Sequence, residues 1–450
     1  MSIDAKKLAQ RLNRHAPKNA QIRLVAEKPF GPQLTVRTWN LANGLRVHVV
    51  PDDSAPVAAF QTWLRVGSRD ETPGKTGLAH FFEHLMFKGT PSHPQGELDK
   101  LLEGVGAETN AATWTDWTHY YETLPAAQLP LAITLEADRM QYLALDTEQL
   151  DSEREVVISE RRDRVEDDVE GMTSEVLFRQ AFREHPYGWP TIGWMADIES
   201  YTVEDCLRFY RQYYAPNNAT VVVVGEVDEP ILLGLIQEAY GGMRRSRIRR
   251  PARAAEPPQT RARRKRLRFP THAEKVAIGL RSPGLGDPDW VPFAVLNDIL
   301  FGGRSSRMIR RLVLQDELVT ECWGALTPFG EPGLMEMGAD LREGVTAERV
   351  ETILWEEIGR LHREGVSERE LLKSQSRLEL GVLTSLETAG GKAEQIGFDD
   401  TVVGDPTASF ARLDAYRAVT LDDLRHIAGT YLRRRSSTTV LVRPTAGSQR

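Results

Sequence analysis

The chain has few cysteines and no long hydrophobic run. Among its 450 residues the cysteines are Cys206 and Cys322, one in each half. Two such distant cysteines argue against a disulfide framework and leave no cysteine-based metal site. No stretch is apolar for long enough to span a membrane. The remaining composition, 41% hydrophobic and 27% charged residues, is typical of a globular protein with two or three domains.

The N-terminal segment carries an early acid, Asp4, and two lysines, Lys6 and Lys7, and it has no apolar core segment. It therefore does not resemble a secretory signal. We expect a cytoplasmic protein on this ground. A periplasmic location stays open, because a processed leader could be missing from the sequence.

The segment Gly77–Thr90 reads GLAHFFEHLMFKGT and carries two histidines around a glutamate. Four residues of α-helix advance about 6 Å and return to within roughly 40° of the starting direction, so His80 and His84 can grip one ion. Glu83 shares their face and can take a proton from a water on the metal. The spacing H-F-F-E-H, the inverse of H-E-x-x-H, therefore predicts a zinc site with a built-in base.

The alternative is that both histidines are ordinary helix residues beside an apolar stripe. That interpretation would place two of only ten histidines and an intervening acid at ligand spacing by accident. A short motif is a hypothesis until its context is known.

The chain repeats itself. Thr202–Tyr213 and the following Ala219–Val224 are echoed 218 positions later by Thr420–Tyr431 and the segment that ends at Val442. Each copy has the pattern of a helix with an acidic first turn that runs into a buried strand. This pattern predicts a duplication.

The metal motif has a counterpart in the second half. At an offset of 215 positions it aligns with Ala294–Gly302. Val295 and Ile299 stand in the places of His80 and His84, and Asp298 stands in the place of Glu83. The second half is therefore not expected to hold zinc.

A basic segment separates the halves. Residues Arg244–Arg268 include twelve Lys or Arg and one acid, Glu256, which leaves a net charge of −18 on the rest of the chain. Such a run could bind nucleic acid, and salt-dependent retention on heparin or DNA would support that alternative. We predict no nucleic-acid partner, because no recognisable nucleic-acid fold accompanies the run and a linker lying along two acidic halves explains it equally well.

The motif and its surroundings resemble the inverzincin peptidases of the pitrilysin family, M16. That family includes insulin-degrading enzyme, mitochondrial processing peptidase and smaller bacterial relatives. The resemblance rests on the lead-in Val66–Glu71, on the motif itself and on the trailing Phe87–Thr90. It covers roughly residues 35 to 445, and its specific motifs lie between residues 66 and 227.

The resemblance implies the rest of the zinc site. The family's third ligand is a Glu in a helix of the form E-R-x-V-V-x-x-E, which here is Glu153–Glu160, and Glu160 lies 76 positions after His84. Glu153 matches a second family Glu that supports the site from outside the ligand set. The alternative is that this stretch is only a solvated, charged face of a helix. Zinc would then have the two histidines alone, which is fewer than the three protein ligands of a catalytic site.

The resemblance also implies a substrate-binding strand. Asn110, Ala111 and Thr113 match an edge strand that in the family pairs with the substrate backbone, and the alternating residues around them are typical of a strand. On the residues alone a plain hairpin is about as consistent. We interpret the nearby His119 as structural.

The fold implied by the resemblance is α+β, with two homologous halves that form a clamshell. Each half is expected to be a mainly antiparallel sheet with helices packed on one face. The predicted organisation is an N-terminal extension, a zinc-bearing peptidase domain, a basic Pro-containing linker and a homologous domain without zinc ligands, over residues 1–34, 35–243, 244–268 and 269–450.

The predicted function is that of a zinc-dependent endopeptidase acting on peptides or unfolded segments. One zinc per chain would be held by His80, His84 and Glu160, and Glu83 would serve as the catalytic base. The alternative is a non-catalytic core or assembly subunit of the same fold. We favour the peptidase, because relatives of that kind lose zinc ligands that this chain keeps.

One segment departs from the family pattern. Self-sufficient relatives carry an Arg and, seven residues later, a Tyr that reach the substrate at the zinc, whereas this chain has Val313 and Thr320 at those positions. Losing donors of this type typically costs about 10²- to 10³-fold each in rate. We therefore predict a homologous partner subunit that supplies the Arg and Tyr. Alternatively, an arginine of this chain takes the place of the missing Arg and Tyr, or these two residues are dispensable for its substrates. The candidate arginines are Arg307, Arg310 and Arg311.

Overall fold

The structure is a computed structural model that describes residues 5–445. The strands are β1 (Ile22–Phe30), β2 (Leu34–Leu41), β3 (Arg46–Pro51), β4 (Val57–Leu64), β5 (Glu108–Thr113), β6 (Thr118–Pro125), β7 (Ala219–Gly225), β8 (Arg263–Phe269), β9 (Lys275–Arg281), β10 (Val319–Leu326), β11 (Leu334–Leu341) and β12 (Thr438–Pro444).

The α-helices begin with α1 (Ala5–Asn13), α2 (Leu78–Leu85), α3 (Glu97–Gly104), α4 (Leu129–Tyr142), α5 (Thr147–Arg161), α6 (Val169–Ala181), α7 (Met195–Glu199) and α8 (Val203–Tyr213). They continue with α9 (Glu229–Tyr240), α10 (Trp290–Phe301), α11 (Ala347–Glu364), α12 (Glu368–Ser385), α13 (Ala389–Phe398), α14 (Ala408–Ala418) and α15 (Leu421–Tyr431). Segments of π-helix occupy Arg162–Glu166, Ile309–Gln315 and Asp399–Val403.

The chain forms two compact units, and neither is continuous in sequence. Unit 1 comprises the chain up to Ile158, Pro190–Ala252 and Leu383–Phe410. Unit 2 comprises Ser159–Trp189, Arg253–Val382 and the chain from Ala411 onward. The first boundary falls inside α5, so Glu160 sits on the last turn of a helix that begins in unit 1.

Unit 1 is built on a sheet with the strand order β1-β2-β3-β7-β4-β6-β5. Its strands pair antiparallel except for β3 and β7, which pair parallel. Side chains alternate between the two faces of a strand. One face packs, through residues such as Phe60 and Val223, against α2, α4, α8 and α9, and this forms the main core of unit 1. The other face, which includes Trp63 and Val222, packs against α13.

Unit 2 has a sheet of the order β10-β11-β9-β12-β8, in which β12 and β8 pair parallel and the other pairs are antiparallel. One face carries Ala277, Val440 and Val442, which pack against Leu177 of α6. Helices α10, α11 and α15 pack together in the same unit.

The two sheets confirm the predicted α+β fold of two homologous halves. Read from one edge, β5-β6-β4-β7-β3 in unit 1 repeats as β10-β11-β9-β12-β8 in unit 2. The structure adds one feature, because the second face of each sheet is covered by a helix, α13 or α6. Strand β1 lies within the predicted N-terminal extension and most of β8 within the predicted linker. The predicted domain limits themselves stay a prediction.

The repeated helices begin in the same way. Thr202 precedes α8, and its side chain accepts a hydrogen bond from the backbone of Asp205, whose carboxylate bonds back to the Thr202 backbone. Thr420 and Asp423 form the same capping box before α15. The acidic first turns seen in the sequence therefore mark true helix starts.

Within residues 5–445, none of the helices combines the length and the apolar character that crossing a bilayer requires. The predicted cytoplasmic location stays a prediction.

Candidate metal centre

Helix α2 carries the motif and is oriented by its apolar side. Leu78, Phe81, Phe82 and Leu85 are buried in the core of unit 1. Phe82 stacks on Phe209 of α8 with ring centroids 5.4 Å apart. The remaining side of the helix holds His80, Glu83 and His84, and all three are partly exposed. Amphipathic packing thus turns the three polar side chains of the motif outward together.

Helix α5 supplies the two acids that the family resemblance implied. Glu153 is buried, whereas Glu160 is partly exposed. Glu160 forms an ion pair of 3.1 Å with Arg164, one turn later. The two glutamates are seven residues apart, close to two helical turns, so both lie on one side of α5.

His80, His84 and Glu160 form a cluster with the chemistry of a metal site. One ligand atom from each lies within 4.8 Å of the others. The two imidazole rings meet edge to face, with centroids 4.8 Å apart. Atoms bound to one tetrahedral zinc lie roughly 3.4 Å apart, given Zn–N and Zn–O bonds of about 2.1 Å. Two imidazoles and a carboxylate therefore fit zinc after small side-chain adjustments.

Glu153 holds one of these imidazoles from behind. Its Oε1 lies 2.9 Å from Nδ1 of His84, and its other oxygen pairs with the ammonium of Lys88. Burial by itself would raise the pKa of the Glu153 carboxyl, but the hydrogen bonds and charges of His84 and Lys88 hold that pKa below its usual value. The bond at Nδ1 leaves Nε2 of His84 for the shared ligand position.

Glu83 lies one residue from His84 and three from His80 on the same side of α2. Behind it, the hydroxyls of Tyr120 and Tyr214 are 2.8 Å apart. Burial raises the pKa of both phenols, and the negative charge of Glu83 contributes in the same direction. The two tyrosines are therefore neutral neighbours of Glu83, which lies on the same side of α2 as the two histidines.

The predicted substrate strand is an edge strand. Within residues 5–445, β5 pairs with β6 alone. Asn110 is exposed, while Ala111 packs against the core that includes α2. Strand β5 also lies beside α2. Its outer edge thus offers backbone N–H and C=O groups near the motif helix.

Sequence reasoning missed two residues that support α2. Lys88 pairs with Glu153, and Glu71 accepts hydrogen bonds at the start of the helix, from Gly77 N and Ala79 N, each at 2.7 Å. Glu71 lies in the lead-in segment and Lys88 in the trailing segment, two of the segments on which the family resemblance rests. That resemblance was the available signal, but it assigned neither residue a role.

The positions of the missing Arg and Tyr lie in unit 2. Val313 is part of the π-helix Ile309–Gln315 and Thr320 lies on β10. Two of the alternative arginines are already engaged in unit 2. Arg307 bonds both oxygens of Glu370, at 2.7 and 2.8 Å, and Arg311 bonds Asp316 at 2.6 Å.

Several cations of the basic segment have acidic partners. Arg250 lies 3.2 Å from Asp70 within unit 1. Within unit 2, Arg253 lies 2.9 Å from Glu331, and Arg264 pairs with Glu351 at 2.6 Å. In these three pairs the charge of the basic segment is balanced by acids of its own unit, and the predicted linker itself stays a prediction.

Residues 46–193 match the family model described as insulinase, peptidase family M16, and residues 200–378 match the model described as the M16 inactive domain. The chain is similar to the zinc protease PqqE of Helicobacter pylori, with 31% identity over 413 residues that cover 90% of this chain and 92% of the relative.

Two further similarities span nearly the full length. The mitochondrial-processing peptidase subunit beta of Lentinula edodes is 27% identical over 422 residues, which cover 90% of this chain and 88% of that protein. A crystal structure of a protease from Helicobacter pylori superposes with a TM-score of 0.87 at 29% identity, over 91% of this chain and 99% of that one.

Proposed function

The chain belongs to the insulinase family of peptidases, M16, and from that premise we propose that it is a zinc-dependent endopeptidase that cleaves peptides or unfolded segments. The observation that carries the proposal is the cluster of His80, His84 and Glu160, whose ligand atoms lie within 4.8 Å of one another. With Glu83 beside them, these residues supply the ligands and the base that metal-assisted hydrolysis needs. We expect one zinc per chain, since residues 5–445 hold one such cluster.

The roles of the residues follow from their chemistry. Zinc, when bound, supplies a Lewis acid that acidifies water and polarises a carbonyl. His80, His84 and Glu160 hold the ion, and Glu153 fixes the ring of His84. Glu83 accepts a proton from the attacking water at a carboxylate oxygen and passes it to the nitrogen of the leaving amine. The water oxygen first bonds to the carbonyl carbon, and the C–N bond then breaks as the protonated amine leaves.

Strand β5 is the proposed binding edge for the substrate. A peptide that adds to β5 would pair through its main chain, next to Asn110, Ala111 and Thr113. Main-chain pairing carries little sequence information. The substrates are therefore expected to be extended segments of varied sequence.

A partner subunit completes the proposed active site. Val313 and Thr320 cannot donate to a developing oxyanion as an Arg and a Tyr would, and Arg307 and Arg311 are engaged by Glu370 and Asp316. We infer that a homologous chain with a degenerate zinc motif supplies these donors. The fungal relative is itself named as a subunit of a processing peptidase, which supports this arrangement.

The experiment that tests the function compares the wild type with Glu83→Gln. We expect both to purify with about one zinc per chain by elemental analysis. The variant should lose hydrolysis of a mixed peptide library by at least about 10²-fold, since it keeps the ligands and lacks the base. Asp298→Asn, at the aligned position of the second half, is the matched control and should be as active as the wild type. Full activity of Glu83→Gln would refute the assignment of the base.

The partner is tested with the same assay. The pure chain is assayed alone and after mixing with the product of an adjacent homologous gene. We expect cleavage to rise by about 10²-fold or more on mixing. If the chain alone cleaves as fast as the mixture, the partner proposal is wrong and Arg310 is the next residue to mutate. If zinc-loaded chain and mixture are both inactive, the non-catalytic alternative holds.

A further inference from the structure

The start of the motif helix depends on a carboxylate from outside the helix. The residue before α2 is Gly77, which has no side chain for capping and has a backbone φ of +91°. Glu71, only 4% exposed, takes the place of a cap. One of its oxygens accepts from Gly77 N and the other from Ala79 N, both at 2.7 Å. Two of the four free N–H groups at the helix start are satisfied in this way.

Thr76 ties the same helix start to a distant segment of unit 1. Its backbone N and its hydroxyl donate to one oxygen of Asp197, at 3.0 and 2.6 Å. The hydroxyl also accepts from Trp194 N at 3.1 Å, and the Thr76 carbonyl accepts from the hydroxyl of Tyr201. Thr76 is 1% exposed, so this network is shielded from water.

Two glycines allow the segments to come this close. A Cβ on Gly77 would lie 2.4 Å from the carbonyl oxygen of Ile192, and a Cβ on Gly193 would lie 2.3 Å from the carbonyl oxygen of Thr76. Both glycines have positive φ, +91° and +89°. Side chains at either position would push the two backbones apart.

From these contacts we infer that Glu71 and Thr76 are positioning residues for the metal helix, and that residues 190–201 set the place of His80 and His84. Helix α2 has eight residues, which is too short to be stable by itself. Its first turn is fixed from outside by Glu71 and Thr76, and His80 follows Ala79 directly. The inference rests on the proposed zinc site, and it adds to that site a clasp, defined here as Glu71, Thr76, Asp197 and Gly193.

The test measures zinc affinity by chelator competition on the metal-free chain. Thr76→Val removes the hydroxyl at nearly constant volume, and Glu71→Gln replaces one acceptor by a donor facing an N–H. We expect both variants to bind zinc about 10- to 100-fold more weakly than the wild type, as for residues that orient ligands from outside. Thr76→Ser should restore most of the affinity.

Asp228→Asn is the matched control. Asp228 caps α9 in the same unit by accepting from Ile231 N at 3.0 Å, and α9 carries no proposed ligand. Its variant should bind zinc like the wild type even if its melting temperature falls. If the clasp had a purely structural role, Thr76→Val would behave like this control, with a lower melting temperature and unchanged zinc affinity. That result would overturn the inference.

Amide hydrogen exchange over residues 77–85 provides a readout that does not need zinc. Exchange there should speed up in Glu71→Gln and Thr76→Val and stay unchanged in Asp228→Asn. If Glu71→Gln does not fold, the comparison of Thr76→Val with Thr76→Ser decides the test. A wild-type chain that binds zinc without hydrolysing peptides would refute the proposed peptidase and leave this inference standing. A wild type that binds no zinc would refute the zinc site, and unchanged exchange in Thr76→Val would refute the clasp.

Discussion

Helices α2 and α10 occupy corresponding places in the two units and differ in one face. In α2 that face holds His80, Glu83 and His84, which are partly exposed. In α10 the aligned residues are apolar or paired: Val295 is 0% and Ile299 1% exposed, and Asp298 bonds Arg377 at 3.2 Å. A helix that is apolar all round is a core element. The same fold position therefore serves as a candidate metal site in one unit and as packing in the other.

The helices that pack beside them differ in the same sense. In unit 1 the buried Glu153 of α5 contacts the ring of His84. In unit 2 the buried Ser374 of α12 donates to the backbone oxygen of Val295, at 3.1 Å. A hydroxyl that bonds a carbonyl stabilises packing, whereas a carboxylate that bonds an imidazole orients a ligand. We therefore expect a metal site at this position to need both a polar face and a supporting residue behind it.

The largest effect should come from removing a ligand. His84→Ala and Glu160→Gln are each expected to abolish stoichiometric zinc, because two protein ligands are fewer than a catalytic zinc site uses. Hydrolysis should be lost with the metal. Zinc content by elemental analysis and peptide cleavage measure the two effects.

The control for this prediction is Ile299→Ala at the aligned position of α10. It removes core volume and should destabilise the chain by about 2–5 kcal/mol without changing the zinc content. A His84→Ala variant that still carries one zinc per chain would remove His84 from the ligand set.

A smaller effect is expected from the outer support. Glu153→Gln should weaken zinc affinity by about 10- to 100-fold, because an amide cannot hold both His84 and Lys88 as the carboxylate does. Ser374→Ala, its counterpart in unit 2, should leave zinc affinity unchanged. Competition with a chelator of known affinity measures both. Equal affinities for all three proteins would mean that Glu153 does not contribute to the site.

The smallest effects concern pH and compare two groups in matching strands, the buried His119 and the half-buried Glu336. His119 on β6 lies opposite Trp63, and Glu336 on β11 lies opposite Gly279. Burial lowers the pKa of His119 to about 3 and raises the pKa of Glu336 to about 7. Both groups are therefore kept uncharged, but over different ranges of pH.

The two groups affect stability with opposite signs. Below pH 6.5 the unfolded chain binds a proton at His119 that the folded chain does not bind until about pH 3. The contribution of His119 to the free energy of unfolding therefore falls as the pH falls. Above pH 4.5 the unfolded chain releases a proton from Glu336 that the folded chain keeps until about pH 7. The contribution of Glu336 to the free energy of unfolding therefore falls as the pH rises.

Substitution should flatten each dependence. Relative to the wild type, His119→Gln should gain about 2 kcal/mol of unfolding free energy between pH 6.5 and 5. Glu336→Gln should gain about as much between pH 4.5 and 6. Urea unfolding followed by tryptophan fluorescence across this pH range measures both. Parallel pH curves for wild type and variants would contradict the prediction.

Local patterns in the sequence were enough for much of the fold and of the candidate site. The spacing of His80, Glu83 and His84 depends only on helical geometry, and the resemblance to the family pointed to Glu160 and Glu153. The repeated helix starts at Thr202 and Thr420 depend on capping by near neighbours in the chain. Each of these signals lies within a few residues or in a known motif, so it can be read without knowing the fold.

The tertiary structure decided what depends on residues far apart in sequence. Helix α13 packs on the sheet of unit 1 and α6 on that of unit 2, although each is separated in sequence from most of its unit. The contacts of Thr76 with Asp197 and Tyr201 join residues more than a hundred positions apart. No periodicity encodes such pairs, because burial and hydrogen bonding between distant segments are set only when the whole chain has packed.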